Sequence, residues 1–292
     1  MVELIIRKND ANQRLDKFLE KTFPNLTRSM MYKSIRKKKI KVNRKRCSHN
    51  QVLEENDSVL LFLPPDLLEQ KKRTVAIEKK PIQIVYEDEN ILLMHKPVGL
   101  LSQSDQKGQD CLLERMQRYL YDQGEYDLSE NSFSPALCHR LDRNTEGLVL
   151  GAKNADALRI INQAIHDRKI HKYYQAQCMG ILKENQSLNL YIQKKGTKAN
   201  VSKSKKEGFK NASMDVKTLG IRNGTSLLEI ELHTGRFHQI RALMSFIGHP
   251  LVGDHKYGYQ GSQKNYRLIA YKLDLSDLDM DLDKKIFEIK GL

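Results

Sequence analysis

Asp142, in the stretch LCHRLDRNTEGLVLGAKN at residues 137–154, is the side chain best placed by its neighbours to do chemistry. Basic residues Arg140 and Arg143 lie on either side of it. The apolar run at residues 148–150 predicts a buried central strand a few positions later. A carboxylate beside such a strand is either half of a structural ion pair or a reagent.

A second polar group lies in LLEIELHTGRFHQIRALMSFIGHPLVGDHKYG, residues 227–258. Alternation in SLLEIEL predicts a strand, and apolar residues at helical spacing predict a following helix that ends at Gly248. His238, Arg241 and Ser245 would form a polar stripe along that helix. Arg241 would therefore lie at the edge of the core, where only a carboxylate or a phosphate satisfies it well.

The charge of the chain points to a polyanionic partner. Its 292 residues have a formal net charge of +14, a pI near 9.5 and 39% hydrophobic content, which is enough for a folded core. Residues 1–80 carry 20 Lys and Arg against 10 Asp and Glu, so +10 of the charge lies there. The N-terminal part of the chain is therefore the part expected to attract a polyanion most strongly.

Other classes of protein receive little support. Four scattered cysteines without a CxxC pair predict neither a zinc site nor a disulfide framework, and we expect no metal. The apolar run in MVELIIRKND is too short for a signal peptide, and no other run reaches the length of a membrane span. We expect a cytoplasmic protein that does not contact a membrane and works as a monomer.

Residues 1–63 form a predicted small basic domain. Apolar residues at helical spacing predict a helix that ends near Pro24, Thr27 is a suitable N-cap for a second helix, and IKVN at 40–43 is a predicted strand. Residues 36–46 contain eight Lys or Arg. Such a run is either a solvated charged face or a surface that follows a phosphate backbone, and its fusion to a compact pattern favours nucleic acid.

This domain resembles the small RNA-binding module of a ribosomal small-subunit protein and of tyrosyl-tRNA synthetases over about residues 12–63. The matches are Arg14, Leu15, Asp16, Phe18 and Leu19, then TRS at 27–29 and IKVN at 40–43, with Thr27 in place of the usual serine. Residues 64–80 have the mixed composition of a linker. A catalytic domain is predicted for residues 81–292, beginning with a hairpin around EDEN.

The remaining patterns of this larger domain predict a helix, a strand and a loop. Leu158, Ile161 and Ile165 have the spacing of an amphipathic helix, and KYYQAQCMGIL is typical of a strand. The lysine-rich segment at residues 193–213 is best interpreted as a surface loop or hairpin tip.

The order of motifs in the larger domain resembles that of the ribosomal large-subunit pseudouridine synthases. The matches are KPVGL at 96–100, HRLDRNTEGL at 139–148, KYYQAQCMG at 172–180, TGRFHQIR at 234–241, GHP at 248–250 and GDHKYG at 253–258. Glu146 replaces the usual serine, and RLIA at 267–270 departs from R-L-H-A. The resemblance covers about 200 residues.

The resemblance implies an α+β protein in which a small N-terminal helix-helix-strand RNA-binding domain precedes a larger catalytic domain with a mixed, largely antiparallel sheet and a central cleft. It implies isomerisation of uridine to pseudouridine in structured RNA without a cofactor. Asp142 would be the nucleophile, attacking C1′ of the ribose or C6 of the base or assisting a glycal route. Arg241 would hold its carboxylate, and Tyr174 would stack on the uracil.

The predicted RNA contacts come from both domains. Arg140 would fill the space left by the flipped nucleotide, although pairing with a surface acid is its alternative. The other expected contacts are Lys172, Arg236, His238, Gln239, Arg14, Arg28, Lys37, Lys38, Lys39, Lys41 and Arg44.

Two other functions remain open at this point. A binding-only RNA protein would explain the basic domain but not the set of Asp142, Tyr174 and Arg241. A metal-dependent nuclease is less favoured because the histidines lack a ligand spacing. Large-subunit ribosomal RNA is the expected substrate, with transfer RNA as the alternative.

Overall fold

The computed structural model describes residues 1–70, 74–76, 78–104 and 109–292. The helices of this part are α1 Leu15–Thr22, α2 Arg28–Arg36, α3 Leu112–Asp122, α4 Ala155–His166 and α5 Gln239–Phe246. The strands are β1 Val2–Ile5, β2 Gln13–Arg14, β3 Ile40–Val42, β4 Lys45–Arg46, β5 Val52–Leu53, β6 Ser58–Leu61, β7 Gln83–Glu87, β8 Ile91–Lys96, β9 Ala136–Leu137, β10 Glu146–Ala152, β11 His171–Met179, β12 Gln186–Lys195, β13 Lys198–Ser202, β14 Lys210–Arg222, β15 Thr225–Leu232, β16 Leu268–Asp274 and β17 Ile286–Glu288. No helix among the described residues is long and apolar enough to cross a membrane.

The N-terminal module packs α1 and α2 on a four-stranded sheet of order β1-β6-β3-β4. Thr27 caps α2 by accepting a hydrogen bond from the backbone N–H of Met30 at 3.4 Å, as its position predicts. Phe18, on α1, is fully buried in the core of the module. Strand β1 was not predicted, since its partner β6 lies more than fifty residues away in sequence and the segment itself is short.

The larger body is built on an eleven-stranded sheet with the main order β13-β12-β14-β15-β11-β16-β10-β8-β7, while β9 and β17 pair with β10 and β16. Every recorded pairing in it is antiparallel except that of β10 with β16. The predicted α+β class and the mixed, largely antiparallel sheet are therefore confirmed. The predicted hairpin, α4, β11, β15 and α5 are also present.

Strand β10 is central because both of its faces are covered. Leu148 and Leu150 belong to one buried apolar cluster and Val149 to another on the opposite face. A continuous apolar run is the pattern of such a strand. Gly147 has a φ of 128°, and a Cβ there would collide with the backbone of Ala270 on the parallel neighbour β16, so glycine permits the close approach of the two strands.

Of the two predicted alternatives for residues 193–213, a surface loop or a hairpin tip, the structure has the hairpin tip, at the turn between β12 and β13. The segment contains the end of β12, all of β13 and the start of β14, which pair in an antiparallel hairpin. Strand β13 is the edge of the sheet. Edge strands carry lysines that discourage pairing with another chain, so their composition resembles that of a loop.

The N-terminal module and the larger body touch through polar groups. The fully buried carboxylate of Asp10 accepts hydrogen bonds from the Asn131 amide at 2.8 Å and from the Ser132 backbone and hydroxyl at 2.9 and 2.7 Å. Arg7 donates to Asp127 at 2.9 Å. The predicted linker at 64–80 lies partly outside the described residues, at 71–73 and 77. The hydrogen bonds of Asp10 and Arg7 hold the module against the larger body in addition to the chain connection.

Candidate active site

A cleft of about 1040 Å³ opens on the larger body beside the start of β10. It gathers eight side chains that the sequence places far apart, and this convergence is the basis for treating it as the active site. The predicted residues that line it are Arg140, Asp142, Lys172, Tyr174, Arg236, His238, Gln239 and Arg241.

The loop that carries Asp142 is fixed by its backbone. The Ser102 hydroxyl donates to the Leu141 carbonyl at 2.8 Å and accepts from the Leu141 N–H at 3.0 Å. The Thr145 N–H donates to the Asp142 carbonyl at 3.0 Å. The Asp142 side chain is left free of the loop's own hydrogen bonds and faces the cleft, with 28% of its surface exposed.

Lys96 ties this loop to the end of β8. Its side chain is fully buried, and Nζ donates to the carbonyls of Pro97, Leu100 and Arg143 at 3.1, 2.7 and 3.1 Å. Burial lowers the pKa of Lys96 to about 8, since desolvation outweighs the attraction of Asp142. Three carbonyl acceptors satisfy the three donors of the ammonium.

Arg241 projects from α5 between two carboxylates. Its Nε and Nη2 donate to the two oxygens of Asp254 at 2.7 and 2.9 Å, in a bidentate pair, whereas Nη1 reaches Asp142 Oδ2 at a longer 3.4 Å. Its guanidinium carbon lies 4.3 Å from the centre of the Tyr266 ring and 5.1 Å from that of Tyr257. The guanidinium is thus held by Asp254 and presents its remaining edge to Asp142.

Asp254 received no predicted role, although it lies in the GDHKYG match. It is 1% exposed. The glycine before it has a φ of 85°, and a Cβ there would collide with the backbone of Asn265, so Gly253 lets the turn bring Asp254 under Arg241. The GDHKYG motif could have indicated this role, since an acid near a buried arginine in the fold is the expected partner of that arginine.

The pKa of Asp142 is raised because the surrounding protein removes water from the carboxyl, and the attraction of Arg241 only partly offsets that cost. A long contact to a guanidinium already committed to Asp254 explains the weak offset. The carboxyl is therefore poorly solvated, and its carboxylate form would be correspondingly reactive as a nucleophile.

Tyr174 lies on β11 at a bulge. Tyr173 pairs with Lys272 and Tyr174 with Ala270, so Tyr271 is the extra residue on β16. Bulges near active sites redirect side chains. Tyr174 is 6% exposed and lines the cleft, and its hydroxyl has no hydrogen-bond partner within the described ranges. Burial and the Asp142 charge both raise its pKa.

His238 lies beside Asp142 and not on the outer rim of the cleft. Its backbone has the left-handed values of φ 53° and ψ 28° at the N-cap of α5. Nε2 lies 3.7 Å from Asp142 Oδ2, and Nδ1 lies 3.0 Å from the hydroxyl of Tyr257. Burial and the nearby cations Arg241, Lys256 and Lys194 lower its pKa to about 3, so the ring is neutral.

The other predicted RNA contacts in the cleft differ in how exposed their side chains are and in whether they already have partners in the protein. Arg140 is exposed and has no acidic partner in the part of the chain that the structure describes. Lys172 is half-buried, and burial lowers its pKa. Arg236 is exposed, with Nε donating to the Asn211 carbonyl at 3.0 Å.

Gln239, a predicted RNA contact, lines the cleft but is held by hydrogen bonds within the protein. The side chain is 3% exposed. Its amide nitrogen donates to the Ser213 carbonyl at 3.0 Å, and its oxygen accepts from Thr234 and from the Arg236 N–H at 2.8 and 3.1 Å. Gln239 shapes the loop before α5, because its oxygen accepts two hydrogen bonds and its nitrogen donates one within the protein.

The predicted contacts of the N-terminal module lie on a separate surface. Arg28 donates to Glu20 at 2.7 Å, and Arg14 pairs bidentately with buried Asp16 at 3.1 and 2.6 Å. Lys41 lies 5.7 Å from the centre of the Phe62 ring. Exposed side chains without an acidic partner among the described residues form what we call the basic ridge, Lys37, Lys38, Lys39 and Arg44.

No group of three or more His, Cys, Asp or Glu able to hold a metal ion is found in the described ranges of the chain. The charged centre of the cleft is instead organised by Arg241 between two acids.

Comparisons with known proteins agree with this geometry. Residues 90–246 match the family model described as RNA pseudouridylate synthase, and residues 13–59 match that of the S4 domain. An uncharacterized RNA pseudouridine synthase of Mycoplasma capricolum subsp. capricolum is 36% identical, covering 97% of this chain and 94% of that protein. Ribosomal large subunit pseudouridine synthase C of Rickettsia bellii is 31% identical, covering 94% and 91%.

The structure is also similar to that of human RNA Pseudouridylate Synthase Domain Containing 4, with a TM-score of 0.58 over 72% of this chain and 88% of the human chain, at 20% identity. This likeness concerns the fold. The family match and the sequence relatives go further: the chain belongs to the RNA pseudouridylate synthase family and carries an S4 domain at its N-terminal end.

Proposed function

We propose that this protein converts specific uridines of large-subunit ribosomal RNA to pseudouridine in the cytoplasm, with Asp142 as nucleophile. The observation that carries the proposal is the placement of a poorly solvated carboxylate on the cleft wall, 3.4 Å from Arg241 and in the same cleft as Tyr174. The relatives named as ribosomal large-subunit synthases support the choice of substrate.

The reaction needs no second substrate. The bond between uracil N1 and ribose C1′ breaks, the base turns, a bond forms between C5 and C1′, the C5 proton leaves and N1 takes up a proton. Attack of Asp142 on C1′ or C6, or its support of a glycal, would begin this sequence. Arg241 would keep the carboxylate ionised and aimed, because its own orientation is fixed by Asp254.

Two other side chains would handle the base. The Tyr174 ring would stack on the uracil, and its hydroxyl, which has no partner among the described residues, would be available to the substrate. Arg140 is exposed at the cleft beside the nucleophile and could enter the stack where the uridine leaves it. Extrusion of a base costs a few kcal/mol, which a stacked planar guanidinium would partly offset.

The S4 domain would supply affinity. The basic ridge is on its surface and carries charges that bind phosphates without reading sequence. The contacts of Asp10 with Asn131 and Ser132 would fix the distance from the ridge to the cleft. Action as a monomer remains a prediction, which light scattering on the free protein and on its RNA complex would test.

Tritium release tests the proposed function. Large-subunit ribosomal and transfer RNA transcripts labelled at uracil C5 are treated with the wild type and with folded Asp142→Asn, with chelator present throughout. Release by the wild type from ribosomal RNA alone supports the proposal. Release from transfer RNA alone would change the substrate, and release by Asp142→Asn would remove Asp142 as nucleophile. Tight binding without release would favour a binding-only protein.

A further inference from the structure

His238 and Tyr257 form a hydrogen-bonded chain that ends at Asp142. The Ala199 N–H donates to the Tyr257 hydroxyl oxygen at 2.8 Å, that hydroxyl lies 3.0 Å from His238 Nδ1, and Nε2 of the same ring lies 3.7 Å from Asp142 Oδ2. Ala199 lies in β13, Tyr257 ends the short 3-10 helix His255–Tyr257, His238 is the N-cap of α5, and Asp142 lies in the loop before β10.

The direction of these hydrogen bonds follows from the donors available. A backbone N–H can only donate, so the Tyr257 oxygen accepts from Ala199 and keeps its own proton to give. Burial raises the pKa of Tyr257, which keeps that proton in place. Within the described ranges the hydroxyl proton has His238 Nδ1 as its acceptor. Nδ1 is then unprotonated, and the proton of the neutral ring lies on Nε2.

The opposite arrangement is disfavoured at both ends. A proton on Nδ1 would make the Tyr257 oxygen accept twice and leave its buried hydroxyl proton unpaired. It would also turn the lone pair of Nε2 toward the carboxylate of Asp142, which is repulsive.

We propose that His238 is a positioning residue for Asp142, fixed by Tyr257 as the tautomer that directs Nε2–H at the carboxylate. The proposal rests on the role of Asp142 as nucleophile. Arg241 would hold Oδ2 from one side and His238 from another, so that the second carboxylate oxygen is left for the substrate. The 3.7 Å separation is longer than a hydrogen bond, and catalytic hydrogen bonds often tighten only when the substrate binds.

The surroundings keep the His238 ring in this position. Phe237 stacks on it with ring centres 3.8 Å apart and planes 21° apart, and Lys194 Nζ lies 4.8 Å from the centre of the Phe237 ring. The imidazole and the Tyr257 ring have centres 5.6 Å apart and planes at 83°. A left-handed backbone at His238 is uncommon for a residue with a side chain and is retained where the surrounding structure requires it.

Two substitutions of His238 separate the loss of its N–H donor from the structural effect of replacing the ring. Gln and Leu are both unbranched at Cβ and share the strain of the left-handed backbone, but only Gln offers an N–H. In single-turnover assays with saturating enzyme, we expect His238→Leu to be about 10- to 100-fold slower than the wild type and His238→Gln to stay within about 5-fold, with RNA affinity unchanged in both. Equal losses in the two variants would overturn the proposal.

The tautomer provides a readout independent of activity. Imidazole ¹⁵N shifts of the folded wild type, assigned to His238 by comparison with His238→Gln, should have the pattern of an Nε2–H ring, and Tyr257→Phe should shift this pattern toward a mixture. An Nδ1–H pattern in the wild type would overturn the proposal even if the enzyme is active. Loss of the nucleophile role would instead appear as activity in Asp142→Asn, with the tautomer unaffected.

Discussion

Cations serve opposite purposes in the two regions of this protein. Lys37, Lys38, Lys39 and Arg44 of the basic ridge are exposed, while Arg241 is 6% exposed and uses three of its nitrogens on two acids. Exposed charges attract a polyanion over a distance and weaken as salt rises, whereas a buried charge fixes geometry and is screened much less. One region would collect RNA, and the other would orient the reacting carboxylate.

The largest effect should follow from the nucleophile. We expect Asp142→Asn to reduce pseudouridine formation by at least about 10³-fold, because an amide cannot replace the attacking carboxylate. Filter binding should give an RNA affinity close to that of the wild type. A variant that lost affinity and kept its single-turnover rate would reverse the assignment of the two regions.

Stability should separate a buried ion pair from an exposed one. Asp254→Asn leaves Arg241 buried with a weakened partner, and we expect a loss of about 3–5 kcal/mol in the free energy of unfolding. Its control is Glu20→Gln, which breaks the more exposed pair with Arg28 and should change the urea midpoint little. Equal shifts in the two urea midpoints would contradict the distinction.

A change of pH in the acidic range should alter the single-turnover rate but not the RNA affinity. Burial raises the pKa of Asp142, and the attacking form is the carboxylate, so the single-turnover rate should rise with pH through a value above about 3.9, the ordinary pKa of Asp. The basic ridge lies on a separate surface from this carboxyl, so RNA affinity should be nearly constant over the same range. If RNA affinity fell at low pH while the single-turnover rate did not, this account would be contradicted.

The smallest effect on chemistry is expected from the basic ridge. Replacing Lys37, Lys38 and Lys39 together by Ala should lower the slope of log affinity against log salt by about 2–3, since each phosphate contact contributes about 0.7–0.9. The single-turnover rate at saturation should not change. Lys183→Ala, an exposed lysine of the larger body, serves as the control and should leave the slope as it is.

Local signals in the sequence predicted local structure well. Thr27 caps α2 because a cap depends on neighbouring residues, and the run at 148–150 lies in a central strand because both of its faces require burial. The resemblance brought Asp142 and Arg241 together across 99 positions, which no periodicity could have done.

The features that were missed depend on contacts made only in the folded chain. Asp254 reaches Arg241 through a turn that needs a left-handed glycine, and β1 is defined by pairing with distant β6. Composition could not decide between a loop and a hairpin tip for residues 193–213, because an exposed edge strand and a loop are both rich in lysine. The internal hydrogen bonds of Gln239 likewise depend on burial, which its motif does not reveal.

The central claim is that the basic ridge supplies RNA affinity and the cleft supplies the chemistry. Single-turnover tritium release over a range of enzyme concentrations, at low and at moderate salt, tests it most directly. The account predicts that the Lys37, Lys38 and Lys39 triple variant needs more enzyme for half-saturation yet reaches the wild-type rate, while Asp142→Asn saturates normally and releases almost nothing. A triple variant with a reduced maximal rate and normal saturation, or an active Asp142→Asn, would contradict it.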